Sequence, residues 1–323
     1  MAVLSFDQLI VELSRARIVM RADGDRLSVN APEGAVTPEL ADAIRAHKPA
    51  LLEYLVDDIR PILASDAGDR PKAFCVHGTG GNIMFLRHWA EHVEQVALYG
   101  IESPGCSGRT DLAESLKQMV DDYVRAVRSA QPHGPYVLMG YSAGGIIAME
   151  MARALAGDGE DVPLLVLLDT FRTDHAQRSH SGLERAQQIV TSPVRFATNV
   201  LQKKVLDPRA YEDYSRRVVQ HLERGERLPV DLREQYMEDH MLSLLAEHEL
   251  SDYPGRVVLI TASDVNVVER DAGPDRGWSA LVDELVLEEI DCDHHALVGR
   301  RRAEDVAAVL DRIVADAVES PTA

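Results

Sequence analysis

Apolar and polar positions change rhythm along this chain. Phe6, Leu9, Ile10 and Leu13 recur at the spacing of one helical face. Residues 18–30 then alternate around Asp23-Gly24, which predicts a hairpin whose turn tolerates positive φ. Thr37-Pro38-Glu39 offers a threonine N-cap with proline at the first helical position. Leu40, Ile44, Leu51, Leu52 and Leu55 continue in helical register, interrupted at Pro49. Residues 1–58 therefore predict a small α-β-β-α-α unit. So small a unit buries little surface and gains from a partner, and its hairpin has an edge free to accept a strand.

Residues 59–72 contain Pro61, Gly68, Pro71 and two aspartates, and read as a linker. From residue 73 onward the rhythm alternates between strand and helix. Strands are predicted over 73–77, 96–101, 136–139, 164–168, 256–260 and 285–290. Helices are predicted over 83–93, 112–130, 144–156 and 303–318. Apolar strands between amphipathic helices predict an α/β domain over 73–323, with a mostly parallel sheet covered on both faces. The stretch 171–253 interrupts this order. It is rich in charge and helical in spacing (Leu183, Ala186, Ile189, Val190; then Val218, Val219, Leu222; then Met241, Leu244, Leu245). A helical insertion there would cover the sheet edge as a lid.

Composition narrows the class. A chain of 323 residues suits one large domain and one small one. A hydrophobic share of 46% is that of a globular protein, and no apolar run approaches membrane-spanning length. Met1 to Gln8 has neither the basic nor the apolar region of a signal peptide. Cys75, Cys106 and Cys292 are far apart, which points to reduced thiols and a cytoplasmic location, with neither a disulfide frame nor a zinc site. A net charge of −19 argues against nucleic acid as a partner.

The chemistry centres on Gly140-Tyr141-Ser142-Ala143-Gly144, between an apolar strand and a helical pattern. This is the setting of a nucleophile elbow, where small flanking residues let the serine hydroxyl stand above the sheet edge. His77-Gly78-Thr79-Gly80-Gly81 follows the first strong strand and would bring backbone N–H groups to a reacting carbonyl. An oxyanion hole needs two such donors, assigned to the backbone N–H of Thr79 and Ala143. The loop lacks the lysine and hydroxyl residue of a P-loop. Asp169 ends the strand 164–168, where a carboxylate can hold a histidine's tautomer, and Asp264 is its rival after the next strand. His294 and His295 lie after the last strand, and spacing does not separate them. The order Ser, Asp, His is that of the α/β-hydrolases.

These residues resemble a thioesterase of the kind that ends nonribosomal peptide and polyketide assembly lines. The likeness is carried by Phe74 to Gly81, Gln131 to Gly145, Met149 to Leu155, Leu165 to Thr170 and Gly277-Trp278. The family closes on Gly-Asp-His-aromatic. Here Cys292-Asp293-His294-His295 departs at its first and last positions but marks His294 as the base. Asp169 matches the acid of the chain-terminating branch, whereas the stand-alone editing branch places its acid nearer Asp264. The resemblance implies a Ser142 acyl-enzyme, no metal or cofactor, and a substrate held on the phosphopantetheine of a carrier protein.

Residues 6–55, with Val29 to Leu40 in the middle, resemble the TubC-type docking domain of such synthetases. Those domains capture the C-terminal tail of an upstream subunit on their hairpin and are often dimeric, which makes a homodimer an expectation too. Arg17, Arg21 and Arg26 lie on or beside the hairpin, where they would meet acidic residues of a tail. No carrier-sized segment separates the two units, so the resemblance implies a carrier on another polypeptide.

Overall fold

The computed structural model describes residues 4–16, 18–23, 26–31, 34–56, 61–64, 68–172, 208–246, 248–264 and 273–319. The N-terminal unit forms α1 (Phe6–Arg15), the hairpin β1 (Val19–Asp23) and β2 (Arg26–Asn30), α2 (Pro38–Ala46) and α3 (Lys48–Val56). The predicted order is observed. Thr37 caps α2, its hydroxyl accepting the Leu40 N–H at 3.2 Å, and Pro38 opens the helix. The helical run breaks at His47, just before Pro49. Leu9, Leu13, Ile18, Leu40, Ala43, Ile44 and Leu51 are buried together in a core of their own. The hairpin is antiparallel and pairs Arg21 with Ser28 and Asp23 with Arg26. Arg17 lies outside the described residues.

The larger unit is one seven-stranded sheet. Its strands are β3 (Pro61–Leu63), β4 (Lys72–Val76), β5 (Ala97–Ile101), β6 (Val137–Tyr141), β7 (Leu164–Leu168), β8 (Tyr253–Ala262) and β9 (Val282–Ile290), in the order β3-β5-β4-β6-β7-β8-β9. Six strands run parallel, and β3 adds antiparallel to the edge at β5. This strand corrects the expected linker: Ile62 stands opposite Gly100, so part of 59–72 belongs to the sheet. The helix expected over 83–93 is also shorter, only α4 (Leu86–Trp89).

Helices α5 (Leu116–Ala130) and α6 (Gly144–Gly157) cover one face of the sheet. Ser115 caps α5 through the Gln118 N–H at 3.1 Å. Helices α7 (Pro208–Glu223) and α8 (Val230–Ala246) belong to the insertion between β7 and β8, and the first part of that insertion, 173–207, lies outside the described residues. After β9 come the short α9 (His294–Leu297) and the closing α10 (Ala303–Glu319), which packs on the opposite face with α4. Strands β6 and β7 are wholly buried, as expected of central strands between two helical layers. No described helix is long and apolar enough to cross a membrane.

Candidate active site

The parallel register brings the site together. β4 and β6 are neighbours, with Val76 opposite Gly140. Thr79 and Ala143 each lie three residues beyond that pair, on the two loops at the C-terminal sheet edge. β7 is the next strand, and Tyr141 stands opposite Leu168. Ser142 and Asp169 therefore leave adjacent strands side by side. Ser142 donates its backbone N–H to Leu168 O at 2.8 Å, and Asp169 donates its own to Ile260 O at 2.7 Å.

Both residues turn sharply. Ser142 has φ 55° and Asp169 φ 50°, left-handed settings that cost a non-glycine residue energy and cluster at functional sites. The elbow closes because its neighbours have no side chains. A methyl group on Gly140 would overlap the Gly144 carbonyl, and one on Gly144 would overlap the His77 carbonyl. Helix α6 begins directly beneath Ser142. The first N–H groups of a helix have no partner inside it, so Ala143 has a donor to give.

His294 opens α9 and is held from several sides. The Asp293 carboxylate caps the helix, accepting the N–H groups of His295 at 2.8 Å and Ala296 at 2.9 Å. The Tyr141 hydroxyl donates to His294 O at 3.0 Å, and the two rings stack with centroids 5.0 Å apart. His295 meets His294 edge-on at 5.3 Å, in the position where the resemblance expects an aromatic residue. His294 Nδ1 lies 2.5 Å from Asp169 Oδ2. The carboxylate at the imidazole is Asp169, while Asp264 is exposed and donates its backbone N–H to Cys292 O.

Asp169 is almost fully buried. Burial alone would raise its pKa. The hydrogen bond with His294, the charge of Arg276 and the Ala262 N–H, 2.8 Å from Oδ1, outweigh it and hold the carboxyl below its ordinary value. Arg276, on the loop before β9, has a terminal nitrogen 2.6 Å from Asp169 Oδ1 and was not singled out from sequence. Its contact is non-local and its surroundings in the chain are polar, so no periodicity marks it.

The turn at 78–81 is fixed from below. His77 Nδ1 donates to Gly78 O and Nε2 receives the Tyr123 hydroxyl, both at 2.6 Å. Burial pushes the His77 pKa down to about 4, a shift partly offset by the bond to Gly78. Gly81 N–H closes the turn on Gly78 O at 3.0 Å, with Thr79 inside it. From above, α8 lies on the same loop, where Met237 packs against Gly81 and Gly105. Arg233 anchors that helix to Cys106 O at 3.0 Å and Leu228 O at 2.8 Å. The described part of the insertion thus meets the edge that bears the site.

Fold and site define the α/β-hydrolase class. Residues 71–313 match the thioesterase domain family and residues 7–57 the TubC N-terminal docking domain. The chain belongs to the thioesterase domain family and carries a TubC-type docking domain at residues 7–57. Among similar proteins, malpibaldin synthetase of Mortierella alpina is 44% identical over 122 residues, 36% of this chain and 2% of that protein. The vanchrobactin synthetase VabF of Vibrio anguillarum is 26% identical over 257 residues, 78% of this chain and 8% of that protein. The chain thus spans a small fraction of these relatives' length. The thioesterase domain of NocB from the nocardicin cluster is 25% identical, with a TM-score of 0.55, over 79% of this chain and 97% of that one.

Proposed function

We propose that this protein releases an acyl or peptidyl chain from the phosphopantetheine thioester of a carrier protein, through an acyl-enzyme on Ser142. The observation that carries the reading is the Asp169–His294 pair, placed by register beside the Ser142 elbow. His294 takes the Ser142 proton as the hydroxyl oxygen attacks the thioester carbonyl. Asp169 holds the Nδ1–H tautomer and stabilises the imidazolium. The backbone N–H groups of Thr79 and Ala143 receive the oxyanion, each contributing about 3 kcal/mol. The C–S bond breaks and the pantetheine thiol departs with the proton from His294. Water, or an amine or hydroxyl of the chain itself, then attacks the ester and frees an acid, lactam or lactone. The reaction so written uses no metal or cofactor.

The docking domain supplies the route to substrate. It would bind the C-terminal tail of an upstream synthetase subunit, with Arg17, Arg21 and Arg26 meeting acidic residues, and so raise the local concentration of a carrier on another polypeptide. Deletion of residues 1–58 tests this. KM for the carrier-bound substrate should rise while turnover of a small thioester stays unchanged, and equal loss on both would end the trans-recruitment reading. A panel of carrier-bound acyl and peptidyl thioesters, read by mass spectrometry, tests the release step. Preference for long or peptidyl chains supports it. Fastest turnover of acetyl groups would instead make the protein an editing enzyme, a role the observed pairing of Asp169 rather than Asp264 argues against. Labelling of Ser142 by a fluorophosphonate excludes a purely docking protein with a dead site.

A further inference from the structure

The loop before β9 delivers a buried arginine to the far side of Asp169. Arg276 has φ 50°, a left-handed setting that a non-glycine residue keeps only where its surroundings fix it. It is 3% exposed, and its guanidinium carbon lies 3.9 Å from the Phe171 ring centroid, a cation–π contact out of water. Its terminal nitrogens make no hydrogen bond among the described residues, so the 2.6 Å approach to Asp169 Oδ1 is a charge contact. The loop is clamped around it. Asp275 accepts the Gly277 N–H at 3.1 Å and the Ser279 hydroxyl. Trp278 Nε1 donates to Thr170 O at 3.0 Å, and Arg172 donates to Gly277 O. Two of these bonds tie the loop to the residues that follow Asp169.

We propose that Arg276 is a positioning residue of the Asp169–His294 pair, which fixes the carboxylate plane and balances its buried charge. The proposal rests on the catalytic reading of Ser142, Asp169 and His294. An unshared carboxylate raises the proton affinity of its imidazole partner. A guanidinium on the other oxygen shares that charge and leaves Oδ2 to the His294 ring. Among the described residues, the basic side chains within ion-pair distance of Asp169 are His294 and Arg276, and Arg276 carries the permanent charge. The other titratable groups facing the pair are Tyr141 from β6, and Cys292, Asp293 and His295 around α9.

The test compares pH profiles of kcat/KM on a small thioester for wild type, Arg276→Met, Arg276→Lys and Asp169→Asn. Met and Lys both keep a β-carbon at the same φ, so backbone strain is constant across the series. Arg276→Met should move the acidic limb up by about 0.5–1 pH unit, because an opposite charge within a few ångströms holds a carboxylate's pKa down by one unit or more. Arg276→Lys should keep the limb near wild type. The low-field Nδ1 proton of His294, which lies against Asp169, should change its NMR position in Arg276→Met, and reports even where turnover is lost. An unmoved limb and an unmoved resonance in Arg276→Met, with Asp169→Asn inactive, overturn the inference. An active Asp169→Asn overturns the catalytic reading beneath it instead.

Discussion

The backbone N–H of Ser142 donates to the carbonyl of Leu168 at 2.8 Å, one residue before Asp169. The two residues proposed as nucleophile and acid are thus tied together through a sheet hydrogen bond. Two rigid parallel strands hold the spacing, and the loops above need only bring His294 down onto it.

That lock depends on bare backbone at the elbow. A methyl group at Gly145 would overlap the Thr170 side chain, and one at Gly144 would overlap the His77 carbonyl. Backbone cannot yield as a flexible side chain can. Gly144→Ala should lower stability by about 2–3 kcal/mol and abolish labelling of Ser142 by a fluorophosphonate. Thermal unfolding and labelling rate measure both. Gly157, with open space around its Cα, is the control, and Gly157→Ala should leave both unchanged.

Asp169→Asn keeps the shape of the side chain but turns its hydrogen bond with His294 toward the wrong tautomer. Turnover should fall by about three to four orders of magnitude with the fold intact. Asp264→Asn should cost less than a factor of three, because that side chain is exposed and His294 faces Asp169. Steady-state kinetics on one thioester compares the two.

Much of this was legible in the sequence, for reasons that differ by residue. Ser142 stood out because a turn that tight demands glycine on both sides. Asp169 stood out because a carboxylate ending a wholly apolar strand is costly unless used. Strand β3 was missed: three residues are too few to show alternation, and Pro61 reads as a breaker although an edge strand tolerates it. Helix α4 was overestimated because Ile83 and Val93 are buried by the sheet, not by helical periodicity. Arg276 was invisible because its partner lies more than a hundred residues away in the chain.

His77 should leave a signature in acid. Its folded pKa is near 4 against an ordinary 6.5, so the unfolded chain takes up the proton first. The stabilisation is complete above pH 6.5 and is lost as pH falls toward 4. The loss amounts to about 3 kcal/mol at one proton and 1.36 kcal/mol per pH unit. The half-buried His240 shifts in the same direction, for the same reason of lost hydration. Carboxylates held low, such as Asp169, add their own loss only below the usual carboxylate range. Urea unfolding between pH 7 and 4 should show the slope, and His77→Asn should flatten it.

The insertion's grip on the turn at 78–81 gives the last expectation. Met237 is 5% exposed, packs on Gly81 and Gly105, and has its sulfur 3.7 Å from Cys106 Sγ. Met237→Ala would leave a cavity between α8 and the turn that carries Thr79. Stability should fall by about 2–4 kcal/mol, whereas Met237→Leu, close in volume, should cost less than about 1.5 kcal/mol. If α8 keeps water from the acyl-enzyme, loosening it should favour hydrolysis over attack by a group of the chain itself. Products released from a carrier-bound peptidyl thioester, separated by mass into acid and ring, measure that ratio. A raised share of acid in Met237→Ala but not Met237→Leu is expected. An unchanged ratio in a folded Met237→Ala would mean that α8 braces the turn without governing access of water.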